Sequence, residues 1–501
     1  MENTVFTFFH HSLLNRFSVR FHTLLVAGIL STTLLFKPSI IRAQKVKSTA
    51  FSYLPEQSDD RYNQRVARKL LPLPGGGFII LAHKSATDYA VERYDSDLKR
   101  QWTTSLALTP EQSVEGFAQS GSQALLAIYE KTSTAQILSA QTVAISSGQK
   151  SALKKLTETG LRDRRPGVAF SPDGTKLVAW RYLTRNTQIK SISASLFDEK
   201  LTKLKDRTYD FSDQGAFFST TVHVGNDGTQ YVTLVSDEMK KLTVRRYRND
   251  NNAIKVMSVA VGGVFGGKVV NVFDSRFSLQ PDNVLYAATI CNERESGVYH
   301  SLKMVKFDFA GEGDMKFAPE FLFTPDYLAE TNKATGSTAK RLEDVYLTDL
   351  LLTDDKQLVV VSEKKYEEGG DNSPGHTREL HLFGYNEFQA PSWHSIVAKD
   401  QVAPAAEGFS SIGYRAAVFG PDVQLVTWEK LKNKSDLYLR HVNAQTGVVS
   451  EPKGLGLNVA ADQNPSYVKD FTAWLDAKTL VGVSRPSKKS AALMLNKIVV
   501  K

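Results

Sequence analysis

The chain has 501 residues, 42% hydrophobic and 23% charged, with a formal net charge of +9 and one cysteine. Enough apolar surface is present for a sizeable core, which excludes general disorder, and a lone Cys291 excludes an internal disulfide, so burial must supply the stability. Residues 1–43 carry Arg16, Arg20, Lys37 and Arg42 against Glu2, which is +3 of the +9 and leaves +6 for residues 44–501; so thin a charge, with no run of Lys and Arg, excludes nucleic acid as the expected partner.

At the N-terminus, Arg16 and Arg20 precede an apolar run from Leu24 to Phe36, and Ile41-Arg42-Ala43 offers a small-residue cleavage site before Gln44. This is the pattern of a secretory signal peptide over residues 1–43. Interrupted by Ser31, Thr32 and Thr33, the run falls short of the roughly 20 residues a membrane span needs. Export to the periplasm, the cell surface or the medium is expected, with no stable transmembrane segment after cleavage; an uncleaved anchor is the alternative. Cys291 lies too far along the chain to be a lipid-attachment cysteine.

From there on, one grammar recurs in eight places: an apolar strand, a tight polar turn and a second strand. The turns are Gly75-Gly76-Gly77, Ser120-Gly121-Ser122, Pro172-Asp173-Gly174, Asn226-Asp227-Gly228, Pro281-Asp282-Asn283, Asp354-Asp355-Lys356, Pro421-Asp422-Val423 and Asp476-Ala477-Lys478, rich in the residues whose backbone preferences suit such turns. The strands that follow, from FIILAH to TLVGVS, are β-branched or aromatic-rich. A third strand and a second turn follow each, then a fourth strand in all units but the last. With about 45 to 73 residues between successive first turns, the array predicts four-stranded blades.

The expected fold is therefore all-β: a single propeller over residues 44–501, of eight blades, or seven if the weakly marked second unit merges with a neighbour. "FSPDGTKLV" at Phe170 to Val178 resembles the repeat signature of the Tol-system periplasmic propellers and of the propeller domains of prolyl oligopeptidases. That resemblance implies a fold and little about activity. The last unit lacks a complete fourth strand, while "STAFSYL" at Ser48 to Leu54 is an orphan strand. Their pairing would close the ring and remove exposed edges.

In a blade, connections between blades and loops between strands two and three emerge on one face. The length variation concentrates there, at Thr324 to Arg341, Tyr366 to Thr377 and Lys399 to Ile412. Long loops on a rigid scaffold are where binding resides, so the face near blades five to seven is the candidate site. Polar residues at the starts of the inner strands ring the same mouth: Arg65, Arg68, Glu115, Arg164, Arg165, Asp274, Arg276, Glu343, Asp344, Tyr414, Arg415, Lys469 and Asp470. Arginines there can grip a carboxylate, phosphate or sulfate by paired hydrogen bonds, or simply compensate one another's charge around a solvated channel. Tyr327, Tyr366 and Tyr414 lie outside the strand pattern and are the aromatic candidates for sugar or peptide contact.

Motifs for chemistry are weak. "GGVFGGKVV" spaces Gly262, Gly267 and Lys268 as a phosphate-binding loop would, but Val269 replaces the required hydroxyl and a strand pattern follows, so a flexible crossover is expected. "EEGGDNSPGH", from Glu367 to His376, gathers donors that could hold calcium, without EF-hand spacing; no cofactor is expected. His83, His223, His381 and His394 sit in or beside strands and are expected to fill blade interfaces, as are Trp180 and Trp428. The leading expectation is a monomeric, non-enzymatic propeller that binds a protein, peptide or glycan, with candidate ligand-binding residues Arg65, Arg165, Arg276, Tyr327, Glu343, Asp344, Tyr366, His376, Tyr414 and Arg415. The alternative is a metal-dependent hydrolase or lyase using acidic residues at the channel mouth.

Overall fold

The turn at Ser171-Pro172-Asp173-Gly174 shows why one unit keeps its letters. Ser171 Oγ accepts the Lys176 amide and Asp173 Oδ1 the Thr175 amide, both at 2.9 Å, while Gly174 takes φ +71°. A Cβ at 174 would lie 1.9 Å from the Gln119 carbonyl oxygen of the preceding blade. Glycine is needed there for conformation and for room.

The computed structural model describes residues 45–55, 65–85, 87–185, 188–215, 217–311, 313–370, 373–461, 465–487 and 492–500; the expected signal peptide over residues 1–43, and Asp371 and Asn372 of the polar loop, lie outside them. The strands form eight antiparallel sheets built on four strands each, whose inner strands are Leu70–Pro72, Gln112–Gln119, Gly167–Phe170, Phe217–Val224, Lys268–Leu279, Val345–Leu352, Tyr414–Phe419 and Tyr467–Asp476. The inner strand of blade 8 touches that of blade 1. The fold is an eight-bladed β-propeller. The second unit makes a full blade with a ten-residue third strand, Ala135–Ala144, so the seven-bladed alternative is not realised.

The apolar core is divided among the blade interfaces rather than gathered in one mass. Leu73, Ile79 and Leu126 pack between blades 1 and 2, and Trp180 with Tyr209 and Tyr247 between blades 3 and 4. Two tryptophans fasten neighbouring blades in the same way. Trp102 and Trp393, on the outer strands of blades 1 and 6, donate their indole N–H to the carbonyls of Ile145 and Ala444 in the next blade at 3.0 and 2.8 Å. Each ring lies over a left-handed glycine, Gly148 or Gly447.

Closure comes from the N-terminal strand, found at Lys45–Phe51, a few residues before its expected position. It pairs with Leu493–Val499, Lys45 opposite Val499 and Phe51 opposite Leu493. Phe51 and Tyr53 then set their rings edge-on to Phe471 at 5.1 and 4.9 Å.

Two segments differ from the sequence reading. Thr324 to Arg341, expected as a loop, contains a helix, Pro325–Thr335, capped by the Thr324 hydroxyl and ended by Gly336 at φ +67°. Its Tyr327 is buried against Phe321 and Phe383 between blades 5 and 6. The glycines expected to make a flexible crossover instead form a tight hairpin, Gly263–Phe265 pairing with Lys268–Val270, with Gly266 and Gly267 at φ +56° and +78°, the conformation of a two-residue hairpin turn.

Phe51→Ala removes the largest apolar contribution of the closing strand. It should cost about 3 kcal/mol, measured by urea unfolding; a loss below about 0.5 kcal/mol would mean that the ring does not depend on this strand.

Candidate functional site

All inner strands start on the face that carries the connections between blades, so residues near their starts meet around one mouth. Blades 1, 5, 6, 7 and 8 border a cavity of about 850 Å³ that extends from Arg68, Arg276 and Lys469 along the inner strands of blades 7 and 8 to Phe419 and Trp474. Five cations line it, Arg68, Arg276, Lys365, Arg415 and Lys469, against three carboxylates, Asp274, Asp349 and Glu363.

Those carboxylates are already engaged. Asp274 Oδ2 accepts the Leu347 amide at 2.8 Å, joining blade 5 to blade 6. Asp349 accepts the Tyr414 hydroxyl at 2.6 Å, an arrangement that, after burial, holds the Tyr414 phenol well above its ordinary pKa. Glu363 lies 2.8 Å from the ammonium of fully buried Lys399. Just behind the wall, Asp470 meets Arg415 at 3.0 Å and Lys69 at 3.6 Å.

The cations are less well served. Arg415 spends its guanidinium on Asp470 and on the carbonyls of Lys469 and Ala67. Among the described residues, Arg68, Arg276 and Lys469 form no ion pair or side-chain hydrogen bond. Arg68 reaches the open channel, yet the walls withdraw enough water to lower its pKa, with Asp349 opposing and Arg415 and Arg276 adding to the fall. Burial first, then Arg415, takes the Lys469 ammonium from its ordinary 10.5 to about 8, against the pull of Asp470 and Glu363. Burial, with Arg276 adding to it, takes the His223 imidazole down to about 4.

The loops of the same face build the wall. The Lys399 to Ile412 segment is bolted down by Gln401, whose Oε1 accepts from Thr377 Oγ1 at 2.6 Å and from the Gly413 amide at 2.8 Å, while its Nε2 donates to the Trp428 carbonyl at 2.6 Å. This segment delivers Phe409 to the cavity. Gly375, at the foot of the Tyr366 to Thr377 hairpin, lies against the Phe409 ring.

Of the ten residues singled out from sequence, Arg276, Tyr414 and Arg415 line this cavity. Arg65 and Arg165 instead bracket Glu115 on the blade 2 side of the mouth, Arg65 at 2.9 Å, with Arg165 also stacked 3.6 Å over the Tyr129 ring. That is mutual compensation of charge. Glu343 pairs with Arg341 on the surface, and the neighbouring Asp344 carboxyl is raised by burial and by Glu343. Tyr366 stacks face to face on buried His376 at 4.9 Å. Tyr327 is only 4% exposed, and its hydroxyl meets His381 Nδ1 at 2.7 Å, so it belongs to the core rather than to a binding surface. Burial takes that imidazole down to about 3.

The sequence reading missed Asp349, Glu363, Lys365, Tyr346 and Phe409. Lys365 had a signal: it extends the second strand of blade 6 beyond its apolar run "LVVVS". Among the described residues, no three His, Cys, Asp or Glu side chains are grouped as a metal site, and no helix is long and apolar enough to cross a membrane.

No family model matches this chain, and no curated protein sequence does. Among solved structures, it is similar to the polysaccharide lyase Uly1 at 10% identity, over 77% of this chain and 90% of that one, with a TM-score of 0.43. Prolyl oligopeptidase B from Galerina marginata is similar at 11% identity over 90% of this chain and 56% of that one, TM-score 0.43, so the chain spans about half of that enzyme. The N-terminal domain of Nup159 is similar at 10% identity, over 91% of this chain and 96% of that one, TM-score 0.40. Such distant likenesses carry no activity to this chain.

An ammonium held at a depressed pKa is a cost to the fold. Below about pH 8 the cost is present in full, and it is relieved as pH rises towards 10.5, because the unfolded chain then binds the proton that the folded one has released. Lys469→Met should raise stability by about 1 kcal/mol at pH 7 and flatten its rise between pH 8 and 10, read by thermal unfolding; destabilisation by the substitution would contradict this account.

Proposed function

We propose that the protein is an exported binding module that takes a ligand into the channel mouth on its loop-rich face near blades five to seven. One observation carries this reading: three cations that form no ion pair or side-chain hydrogen bond among the described residues, Arg68, Arg276 and Lys469, share a cavity of about 850 Å³. A cavity of that size suits a small molecule, or the end of a peptide or glycan chain. Desolvated cations without an ion pair are a cost that a bound anion can offset.

Several features support the reading. The loops whose length first marked this face are braced through Gln401 and Phe409, so the wall is fixed before a ligand arrives, which lowers the ordering cost of binding. Tyr346 and Phe409 add aromatic surface beneath the ammonium of Lys365, at 5.5 and 5.6 Å from the two ring centroids. Export rests on the leader pattern of Arg16, Arg20 and the Leu24 to Phe36 run. Protein recovered from outside the cytoplasm should begin near Gln44 by N-terminal sequencing; an intact Met1 there refutes cleavage.

Ser275 lines the cavity and makes no side-chain hydrogen bond among the described residues. Ser275→Trp should plug the space, leave thermal unfolding within about 3 °C of wild type, and reduce binding at least tenfold for ligands found by screening peptide, glycan and metabolite collections. Unchanged affinity in a folded Ser275→Trp protein would move the site elsewhere.

A further inference from the structure

The charge around the cavity is more specific than a general affinity for ligands. Of its three carboxylates, Glu363 is matched by Lys399 from behind the wall, Asp274 by a backbone amide and Asp349 by the Tyr414 hydroxyl. Asp470 is matched by Arg415 and Lys69. Five lining cations against three lining carboxylates leave a surplus of two positive charges, and one monoanion would not neutralise it. Arg68 feels Arg415 and Arg276 against Asp349, and Lys469 feels Arg415 and Lys365 against Asp470 and Glu363, so these charges share one region of the mouth.

Geometry adds direction. The charged groups sit near the starts of the inner strands, whereas Ala416, Ala417, Val418, Phe419, Ala473 and Trp474 line the cavity further along the strands of blades 7 and 8. Guanidinium forks match the planar or tetrahedral oxygens of carboxylate, phosphate and sulfate.

Resting on the binding reading above, we propose that this cavity is a dianion site, in which Arg68, Arg276 and Lys469 together hold the oxyanion groups of one small organic ligand. Lys365 and Arg415 complete the positive rim. Tyr346 and Phe409 cover the ligand's carbon skeleton. The ligand's charge offsets the surplus of two positive charges along the cavity lining. It also favours the protonated form of Lys469, so binding above pH 8 takes up a proton. The groups facing that ammonium are Arg415, Asp470, Glu363 and Lys365.

The test uses the full chain after leader removal, titrated calorimetrically with succinate, inorganic phosphate and inorganic sulfate, and with acetate as the monoanion. At least one dianion should bind saturably at one site, tenfold or more tighter than acetate; whichever of the three binds tightest identifies the oxyanion chemistry. Arg68→Gln and Arg276→Gln should each weaken that binding tenfold or more without lowering the unfolding temperature, since neither guanidinium forms an ion pair or side-chain hydrogen bond among the described residues. Arg248→Gln, which removes a surface arginine paired with Asp250, should change nothing. Proton uptake, read from the dependence of the heat on buffer ionisation at pH 8.5, should vanish in Lys469→Met. The proposal is overturned if no dianion binds better than acetate, or if the glutamine variants bind as wild type does. Should a screened neutral ligand be blocked by Ser275→Trp yet ignore Arg68→Gln and Arg276→Gln, the dianion site fails while the binding reading stands.

Discussion

Everything in this molecule depends on the antiparallel pairing of Lys45–Phe51 with Leu493–Val499. Each blade is a small sheet whose apolar faces are covered only by its neighbours, so an open array would leave two faces bare and one sheet edge unpaired. Joining the first strand to the last blade brings the two bare faces together and gives Leu493–Val499 its outer partner, with Lys45–Phe51 left as the edge of that blade. The same junction also reaches the functional end of the channel. Tyr53, which follows the closing strand, lies against Lys69 at 3.4 Å; Lys69 meets Asp470, and Asp470 holds Arg415 at the cavity wall. Closure and the position of a cavity-lining arginine are thus linked through three side chains, all of them buried or nearly so.

The repeat and its closure were legible in sequence because their causes are local. A turn that needs Ser, Asp and Gly in order, as at Ser171 to Gly174, leaves letters behind, and a strand between such turns leaves alternation. The Thr324-Pro325 start and Gly336 stop of the helix were equally local signals, but they lie inside a segment that repeat spacing alone assigns to a connection. What could not be read was convergence. Asp349 and Lys365 lie on neighbouring strands of blade 6, while Arg68 and Lys469 are some 400 residues apart, and only the ring brings them together. Sequence placed Arg165 and Arg276 in the same class, as arginines near inner strands. The difference between them is an ion pair: Arg165 makes one with Glu115, whereas Arg276 makes none among the described residues.

That difference separates scaffold from site across the whole mouth. On the side of blades 1 to 3, Arg65, Glu115 and Arg165 form a closed set in which burial raises the carboxyl and two guanidinium groups oppose the rise. Such a set fixes geometry and has little left for a ligand. On the side of blades 5 to 8 the carboxylates are turned to internal tasks, joining blades through the Leu347 amide or bracing Lys399, and among the described residues none of them forms an ion pair with Arg68, Arg276 or Lys469. A fold selected for stability alone would do better with apolar or paired residues at these positions.

The loop-rich face matters in a less direct way than loop length suggests. Tyr327 and His381 turn the longest connection into part of the core between blades 5 and 6. Tyr366 and His376 use their rings on each other. Gln401, unremarked in sequence because nothing local distinguishes it, satisfies the backbone of Gly413 and Trp428 and the hydroxyl of Thr377 at once. Its consequence is the fixed position of Phe409, and through it one wall of the cavity. The long segments therefore act as buttresses: they convert extra chain into rigidity next to a patch of unbalanced charge, and rigidity is what allows that imbalance to persist instead of relaxing into new internal pairs.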